Sequence, residues 1–231
     1  MIKWIPITFQ NFINLETSFI DWLHDYVIIF LIFVVIFVGG ILYLIKKNRY
    51  FRTNINEFSI LETVWTILPR FILILIGIPS LFVLYSRERV LSPNLTLKTT
   101  GHQWYWSYDF CDFNNVEFDR FLKPLEEIER GEFRLLETDN HVVLPLNISF
   151  RTVVSSSDVL HRWTVPTLGI KADANPGRIN LLYITNLQTP GIFFGQCSEI
   201  CGANHRFIPI RLEIVPVRIF TSWLERFYNW S

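Results

Sequence analysis

Two cysteines and a histidine follow one another at a four-residue spacing, as Cys197, Cys201 and His205, in a chain with only three cysteines. Thiolate sulfur and imidazole nitrogen are the donors that soft metal ions prefer. The pattern therefore predicts a metal site with three of its ligands on one loop. We expect His161 to supply a fourth, because it ends a predicted strand and a strand end can bring a distant imidazole against a loop.

Paired thiols have other uses, and the residues alone leave four alternatives. These are a disulfide between Cys197 and Cys201, a structural zinc, two unrelated buried thiols, and copper. The spacing favours zinc less, since zinc-binding pairs often have two intervening residues and stabilise domains that lack a core. Two thiolates on one loop can instead bridge two coppers, with one histidine for each. Such a site carries electrons and leaves no position open for a substrate.

The elements that must position these residues begin with two apolar stretches. The chain has no charge from Tyr26 to Ile45, and about twenty apolar residues suffice for a helix to cross a bilayer. A second candidate span extends from Glu62 to Arg87 and is interrupted by Arg70, for which we expect a protein partner or a lipid headgroup. The basic loop between the spans is predicted to face the cytoplasm-like side. The predicted organisation is an N-terminal segment over residues 1–25, transmembrane helices over 26–46 and 62–87, a loop over 47–61, and a soluble domain over 88–231.

The soluble domain is predicted to consist of strands. After Arg87 the sequence has turn residues between short β-branched or aromatic runs, and no helical period dominates. Candidate strands cover residues 94–110, 141–146, 148–157, 177–185 and 207–220, and residues 221–230 form a candidate amphipathic helix. The pattern fits an all-β Greek-key barrel or sandwich. The net charge of zero, without a basic domain, argues against nucleic-acid binding.

Longer motifs resemble those of one family. Beside "CSEICGANH" from Cys197, the chain contains "ETVWTILP" from Glu62, "GHQWYWSYDF" from Gly101, "LLETDNHVVLPL" from Leu135 and "DVLHRWTVPTLGIKADANPGR" from Asp158. With these motifs the chain resembles subunit II of cytochrome c oxidase over nearly its whole length. The resemblance implies a cupredoxin-like domain on a two-helix transmembrane hairpin. It also implies a binuclear copper A centre, which accepts electrons from cytochrome c and passes them to subunit I for proton-pumping reduction of oxygen to water.

The resemblance implies a role for each residue of the site. By motif position, Cys197 and Cys201 bridge the two copper ions, His161 and His205 supply one imidazole each, and Glu199 offers its backbone carbonyl as a weak ligand. The carboxylate of Glu199 is also expected to hold a magnesium ion shared with subunit I.

The sequence departs from the family pattern at Ile208, where the family places a methionine as an axial thioether ligand. Two explanations stay open. A true isoleucine offers no lone pair, which would shift the reduction potential and the sharing of the electron between the metals. Alternatively, a mitochondrial codon for methionine has been read as isoleucine, since the sequence has a single methionine, Met1. Cys111 has no partner in the motif and is expected to be a small strand residue.

Three further features each have two interpretations. Trp104 belongs either to an aromatic belt at the membrane surface or to the point where electrons enter, and the resemblance favours the second. Glu62 either stabilises a helix N-terminus or, as the resemblance implies, stands at the mouth of a proton path. The chain is rich in acidic residues from Asp109 to Asp139, and these form either a solvated face or a docking surface for basic cytochrome c. The predicted docking residues are Asp109, Asp112, Glu117, Asp119, Asp139 and Asp158.

The resemblance also implies a setting and partners. We expect the mitochondrial inner membrane, with the soluble domain in the intermembrane space, since no leader peptide precedes the first span. The expected partners are subunits I and III, accessory subunits, cytochrome c and membrane lipid. The rival interpretations are a copper-free quinol oxidase subunit, against which the retained cysteines and histidines speak, and a membrane scaffold held by zinc or a disulfide.

Overall fold

The structure, a computed structural model, describes residue 10 and residues 15–50, 57–87, 92–114, 116–185 and 187–228. These residues form two compact units, one of long helices and one of strands. Each unit is described by itself.

The helical unit contains α1 (Leu15–Lys47) and α2 (Ser59–Arg87). Both are long and apolar enough to cross a membrane. Most of their apolar side chains are not covered by other residues of this chain, as expected for helices that are surrounded by lipid. The first helix begins well before the predicted start at residue 26, and the second begins slightly before Glu62. At about 1.5 Å per residue, α1 is roughly 50 Å long, which exceeds the hydrocarbon core of a bilayer.

The two helices contact each other in the described residues. The Tyr26 hydroxyl donates a hydrogen bond to the Leu75 carbonyl at 3.3 Å, and the rings of Phe19 and Phe82 meet edge to face at 6.2 Å. Lysines lie in the last turn of α1, and Glu62 lies in the first turn of α2. Each charge is placed favourably with respect to its helix dipole. The predicted pair of apolar helices is confirmed.

The strand unit contains ten strands and a C-terminal helix. Their bounds are β1 (Leu95–His102), β2 (Tyr105–Phe110), β3 (Glu117–Arg120), β4 (Val142–Pro145), β5 (Phe150–Ser156), β6 (His161–Val165), β7 (Ile170–Ala174), β8 (Asn180–Ile184), β9 (Gly191–Gln196), β10 (Pro209–Val215) and α3 (Val217–Tyr228). Short 3-10 turns occupy Leu125–Glu127, Pro166–Leu168 and His205–Phe207.

Three sheets surround one hydrophobic core. The largest has the order β3-β2-β1-β5-β8, a second has the order β4-β10-β9, and β6 pairs with β7 alone. The pairs β1/β5 and β4/β10 are parallel, and the other pairs are antiparallel. Side chains from all three sheets and from α3 contribute to the core, which includes fully buried Trp106 and Trp163. The Trp163 indole donates to the Tyr108 hydroxyl at 3.3 Å, so this buried N–H is satisfied.

Several strand boundaries in this unit differ from those predicted from the sequence. The candidate strand over residues 94–110 is divided by a turn at Gln103 and Trp104 into β1 and β2, which then pair with each other. The candidate strand over residues 207–220 ends at Val215, because α3 begins directly after Pro216, whose carbonyl accepts from the amides of Ile219 and Phe220. Strands β3, β6, β7 and β9 were not predicted.

Close packing between β6 and β9 leads to a stability prediction for Gly195. A Cβ atom there would lie 2.1 Å from the Thr164 carbonyl oxygen, so only glycine fits. We expect Gly195→Ala in the full-length chain to lower the free energy of unfolding by more than about 2 kcal/mol. Denaturant unfolding followed by the fluorescence of buried Trp106 and Trp163 measures this loss.

The control for this prediction is Gly77→Ala, where a Cβ atom would meet nothing within 4 Å. Its effect on the same transition should stay within about 0.5 kcal/mol. Equal stability of the two variants would contradict the close contact between β6 and β9.

Candidate metal centre

The loop between β9 and β10 carries the two cysteines and the second histidine. The two strands pair antiparallel up to Gln196 and Pro209, so the ends of the loop are held together. Just inside this pair, the Cys197 amide donates to the Ile208 carbonyl at 3.0 Å. The next amide, of Ser198, donates to the Arg162 carbonyl at 3.0 Å and ties the loop to β6. The backbone therefore fixes the start of the loop beside His161, the first residue of β6.

The side chains of the loop and of His161 converge. The sulfurs of Cys197 and Cys201 lie 4.0 Å apart. The Nδ1 atom of His161 lies 3.8 Å from the Cys197 sulfur, and that of His205 lies 3.5 Å from the Cys201 sulfur. Ligand atoms of His161, Cys197 and Cys201 all lie within 4.8 Å of one another. Each sulfur thus has its own imidazole, and the predicted set of four side chains comes together.

The sulfurs are buried and are not bonded to each other. A disulfide requires a sulfur–sulfur distance of about 2.05 Å, and both cysteines are free. Their residues are only 6% and 3% exposed, and His161 is fully buried, whereas His205 is half-buried. Two thiols and two imidazoles in a mostly dry site fit a soft metal ion, and the donor set is one that copper accepts.

The two thiols differ in acidity. Burial opposes ionisation of Cys197, but hydrogen bonds from His161 and from backbone amides lower the pKa of its thiol to about 7. Burial, together with the charge of neighbouring Cys197, raises the pKa of Cys201 to about 12. The pair therefore retains a proton at neutral pH without a metal, and a cation between the sulfurs would take its place.

His161 is held from its far side by Asp158. Its Nε2 atom lies 2.8 Å from the Asp158 carboxylate, which leaves Nδ1 directed at the Cys197 sulfur. The same carboxylate accepts from the amides of Val159 and Gln103, each at 2.6 Å. Burial alone would raise the pKa of Asp158, but these hydrogen bonds outweigh the effect of burial and hold the pKa below its ordinary value. A carboxylate behind a ligating histidine is a common support in metal sites, because it fixes the tautomer and the orientation of the ring.

The backbone carbonyl and the side-chain carboxylate of Glu199 have different neighbours. Its carbonyl oxygen lies 3.4 Å from the Cys197 sulfur, within the cluster of donors. Its carboxylate points away and pairs with Arg162 at 2.8 Å. The carbonyl therefore lies beside the cluster of donors, while the carboxylate is bound to a guanidinium.

Trp104 and Gln103 cover the loop on another side. The side-chain amide of Gln103 donates to the Cys201 carbonyl at 2.8 Å. Gly202 has a φ of 124°, and a Cβ atom there would lie 3.3 Å from the Trp104 indole nitrogen, so this glycine allows the indole to approach the loop. That nitrogen is buried and has no hydrogen-bond partner among the described residues. Trp104 thus packs directly against the loop that carries the thiols.

Ile208 is fully buried in the core below the loop. Its carbonyl oxygen accepts from Cys197, but its side chain offers no donor to a metal.

The acidic residues predicted to form a docking surface fall into three groups. Asp109 and Glu117 are register partners on β2 and β3, and Asp119 follows two residues after Glu117, so all three share one face of this hairpin. Asp112 accepts from the amide of Thr96, and Asp139 accepts from those of Phe121 and Asn140, so both also stabilise turns. Asp158 lies apart from the β2–β3 face, since its carboxylate holds His161.

The sequence predicted which side chains come together, but not the residues that hold them in place. Gln103 reaches the Cys201 carbonyl across 98 residues. Asp158 and Arg162 lie three residues before and one residue after His161, but their contacts with its ring and with the thiol-bearing loop were not predicted. His161 itself begins a strand instead of ending one, because the turn at residues 157–160 separates it from β5. Glu62 lies in the helical unit and is not among the residues that converge here.

Comparisons with known proteins agree with this architecture. The chain matches the family model for the cytochrome c oxidase subunit II periplasmic domain over residues 95–215 and that for its transmembrane domain over residues 3–83. It is 43% identical to cytochrome c oxidase subunit 2 of Drosophila miranda, across 99% of this chain and all of the relative. It is 44% identical to the same subunit of Yponomeuta malinellus, across 98% of this chain and 99% of the relative.

Solved structures support the fold of the strand unit. The periplasmic domain of subunit II of cytochrome oxidase from Bradyrhizobium japonicum is 40% identical, with a TM-score of 0.55, and the match covers 61% of this chain and 97% of that domain. A related crystal structure captures a mixed disulfide between a thioredoxin-like protein and subunit II of cytochrome c oxidase, at 39% identity and a TM-score of 0.53, and covers 62% of this chain and 96% of that one. The predicted cupredoxin-like domain after two apolar helices is confirmed. The chain belongs to the cytochrome c oxidase subunit II family.

Proposed function

We propose that this chain is the electron-input subunit of a cytochrome c oxidase and binds two copper ions at His161, Cys197, Cys201, His205 and the carbonyl of Glu199. The observation that carries the proposal is the pair of free, buried thiols 4.0 Å apart with one imidazole beside each sulfur. This set matches the donors that two thiolate-bridged coppers need. When bound, the copper pair would take one electron from reduced cytochrome c and pass it towards subunit I.

The residues of this chain would keep the structural change that accompanies electron transfer small. The loop is anchored at its ends by backbone hydrogen bonds, and His161 is held by Asp158, so the donors are fixed before any metal arrives. The site is mostly buried, which limits the access of water. A rigid, dry donor set changes little when charge is added, and this suits an electron relay better than bond-making chemistry.

Trp104 is our candidate for the point at which electrons enter. Its indole packs against Gly202 on the thiol-bearing loop and is only partly buried, so it connects the surface with the site. The β2–β3 face with Asp109, Glu117 and Asp119 would attract basic cytochrome c.

Several finer assignments rest on the family and remain proposals. We place the chain in the mitochondrial inner membrane, with lipid around its helices and with subunits I and III and accessory subunits as partners. Glu62 would open a proton path into subunit I. A magnesium ion shared with subunit I would use the Glu199 carboxylate, where it has to share that group with Arg162.

Copper binding is the direct test of the proposal. The full-length chain, purified in detergent, reduced and offered copper, should bind two coppers and develop the visible and near-infrared absorption of a thiolate-bridged pair. Cys197→Ser should bind less copper and lose that absorption, while Cys111→Ser, at an exposed cysteine, should behave like the unchanged chain. The measurements are metal analysis and absorption spectroscopy.

Two results would contradict copper binding. One is a reduced chain that binds no copper. The other is a chain that takes up zinc in preference to copper when both are offered.

Removing the support of His161 should weaken the metal site without removing a ligand. We expect Asp158→Ala to lower copper affinity by about 10–100-fold, the usual effect of losing the partner behind a ligating histidine. Competition with a chelator of known affinity measures the change. Asp119→Ala removes an exposed carboxylate from β3 and is the control, with unchanged affinity. Unchanged affinity of the Asp158 variant as well would show that the ring needs no such support.

The acidic face predicts a salt-dependent encounter with cytochrome c. The association rate should fall markedly between low and physiological ionic strength, because screening shortens the reach of the charges to about 8 Å. Exchanging Glu117 and Asp119 together for glutamine and asparagine should lower the low-salt rate several-fold, as measured by stopped-flow mixing with reduced cytochrome c. Glu225→Gln, an exposed acid on α3, is the control. A rate independent of salt would remove the docking role.

A further inference from the structure

Arg162 is the residue that joins the metal centre to its charged surroundings. It is the second residue of β6, directly after the ligand candidate His161, and its register partner on β7 is Asp173. Its side chain is 29% exposed, so it is partly shielded from water. The structure therefore puts a permanent positive charge one residue from a metal ligand.

Arg162 makes three contacts with the site and its neighbour strand. Its Nη2 atom lies 2.8 Å from the Glu199 carboxylate, and its Nε atom pairs with the Asp173 carboxylate. Its backbone carbonyl accepts from the Ser198 amide at 3.0 Å. Two loop residues between Cys197 and Cys201, Ser198 and Glu199, are thus tied to β6 through one arginine. The fork of the guanidinium suits this task, since it binds two carboxylates in fixed directions, which an ammonium group does not.

We propose that Arg162 is a positioning residue of the metal centre that also sets its reduction potential. By holding the carboxylate of Glu199, it fixes the backbone carbonyl that faces the Cys197 sulfur. By keeping a positive charge beside the thiols, it favours the reduced, less positive form of the bound metal pair. This inference rests on the proposed copper site.

The charges around Arg162 allow an electrostatic role to be separated from a structural one. The group consists of one guanidinium and two carboxylates, which gives a net charge of −1. Loss of the guanidinium makes this charge −2 and should lower the reduction potential. Loss of the Asp173 carboxylate makes it 0 and should raise the potential. A purely structural disturbance would not be expected to shift the reduction potentials of the two variants in opposite directions.

The experiment uses the full-length chain in detergent, loaded with copper. Copper content is measured first, and the reduction potential is then determined by spectroelectrochemical titration. We expect Arg162→Gln to shift the one-electron equilibrium by up to about tenfold towards the oxidised form, or about 59 mV, and Asp173→Asn to shift it the other way. The double variant should fall between them. Arg162→Lys keeps the charge, so it should largely retain the potential but change the electron paramagnetic resonance spectrum.

The matched control is Arg151→Gln. Arg151 lies on β5 in the large sheet, and its guanidinium donates to the Thr96 hydroxyl at 2.9 Å. Its loss should leave the potential and the spectrum unchanged.

The outcomes distinguish this inference from the proposed function. If the unchanged chain binds no copper, both fail. If it binds copper but Arg162→Gln and Asp173→Asn shift the potential in the same direction, or not at all, only the role of Arg162 fails. If Arg162→Gln does not fold, an upward shift in Asp173→Asn with a silent Arg151→Gln still supports the role, and no shift in Asp173→Asn overturns it.

Discussion

The site depends on keeping two thiols close together, dry and unbonded. Left free on a flexible loop, two cysteines at this spacing would approach each other and oxidise, or ionise and attract water. Here the strand pair at the base of the loop and the hydrogen bond from Ser198 to β6 hold the sulfurs 4.0 Å apart. That separation is too long for a disulfide and leaves room for a metal ion at each sulfur. The arrangement of the other site residues follows from it.

The second requirement is compensation of charge in a buried place. Two thiolates, with a dense set of carboxylates nearby, would be costly in a dry site without positive partners. His161 and His205 stand beside the sulfurs, and Arg162 neutralises part of the charge of Glu199 and Asp173. The two thiols still differ in acidity. The pKa of Cys197 is about 7, whereas burial and the charge of Cys197 raise the pKa of Cys201 to about 12. A cation bound between the sulfurs would complete the compensation.

Much of this could be predicted from the sequence because the signals are local. The four-residue spacing predicted that Cys197, Cys201 and His205 come together, and two apolar runs, the second interrupted by Arg70, predicted two long helices. His161 was found through its position near a strand end, although it begins the strand. The supports were missed because they depend on pairing between distant segments: Gln103 meets the Cys201 carbonyl across 98 residues, and Arg162 meets Asp173 through strand register. The two-residue turn at Gln103 and Trp104 that divides β1 from β2 was also missed, because it lies within an aromatic run.

The central claim is that the two sulfurs share a pair of copper ions. X-ray absorption at the copper edge of the reduced, copper-loaded, full-length chain tests it most directly. The account predicts that each copper is surrounded by sulfur and nitrogen donors and has a second copper as a close neighbour. Copper bound only by nitrogen and oxygen, or copper with sulfur but without a copper neighbour, would contradict it.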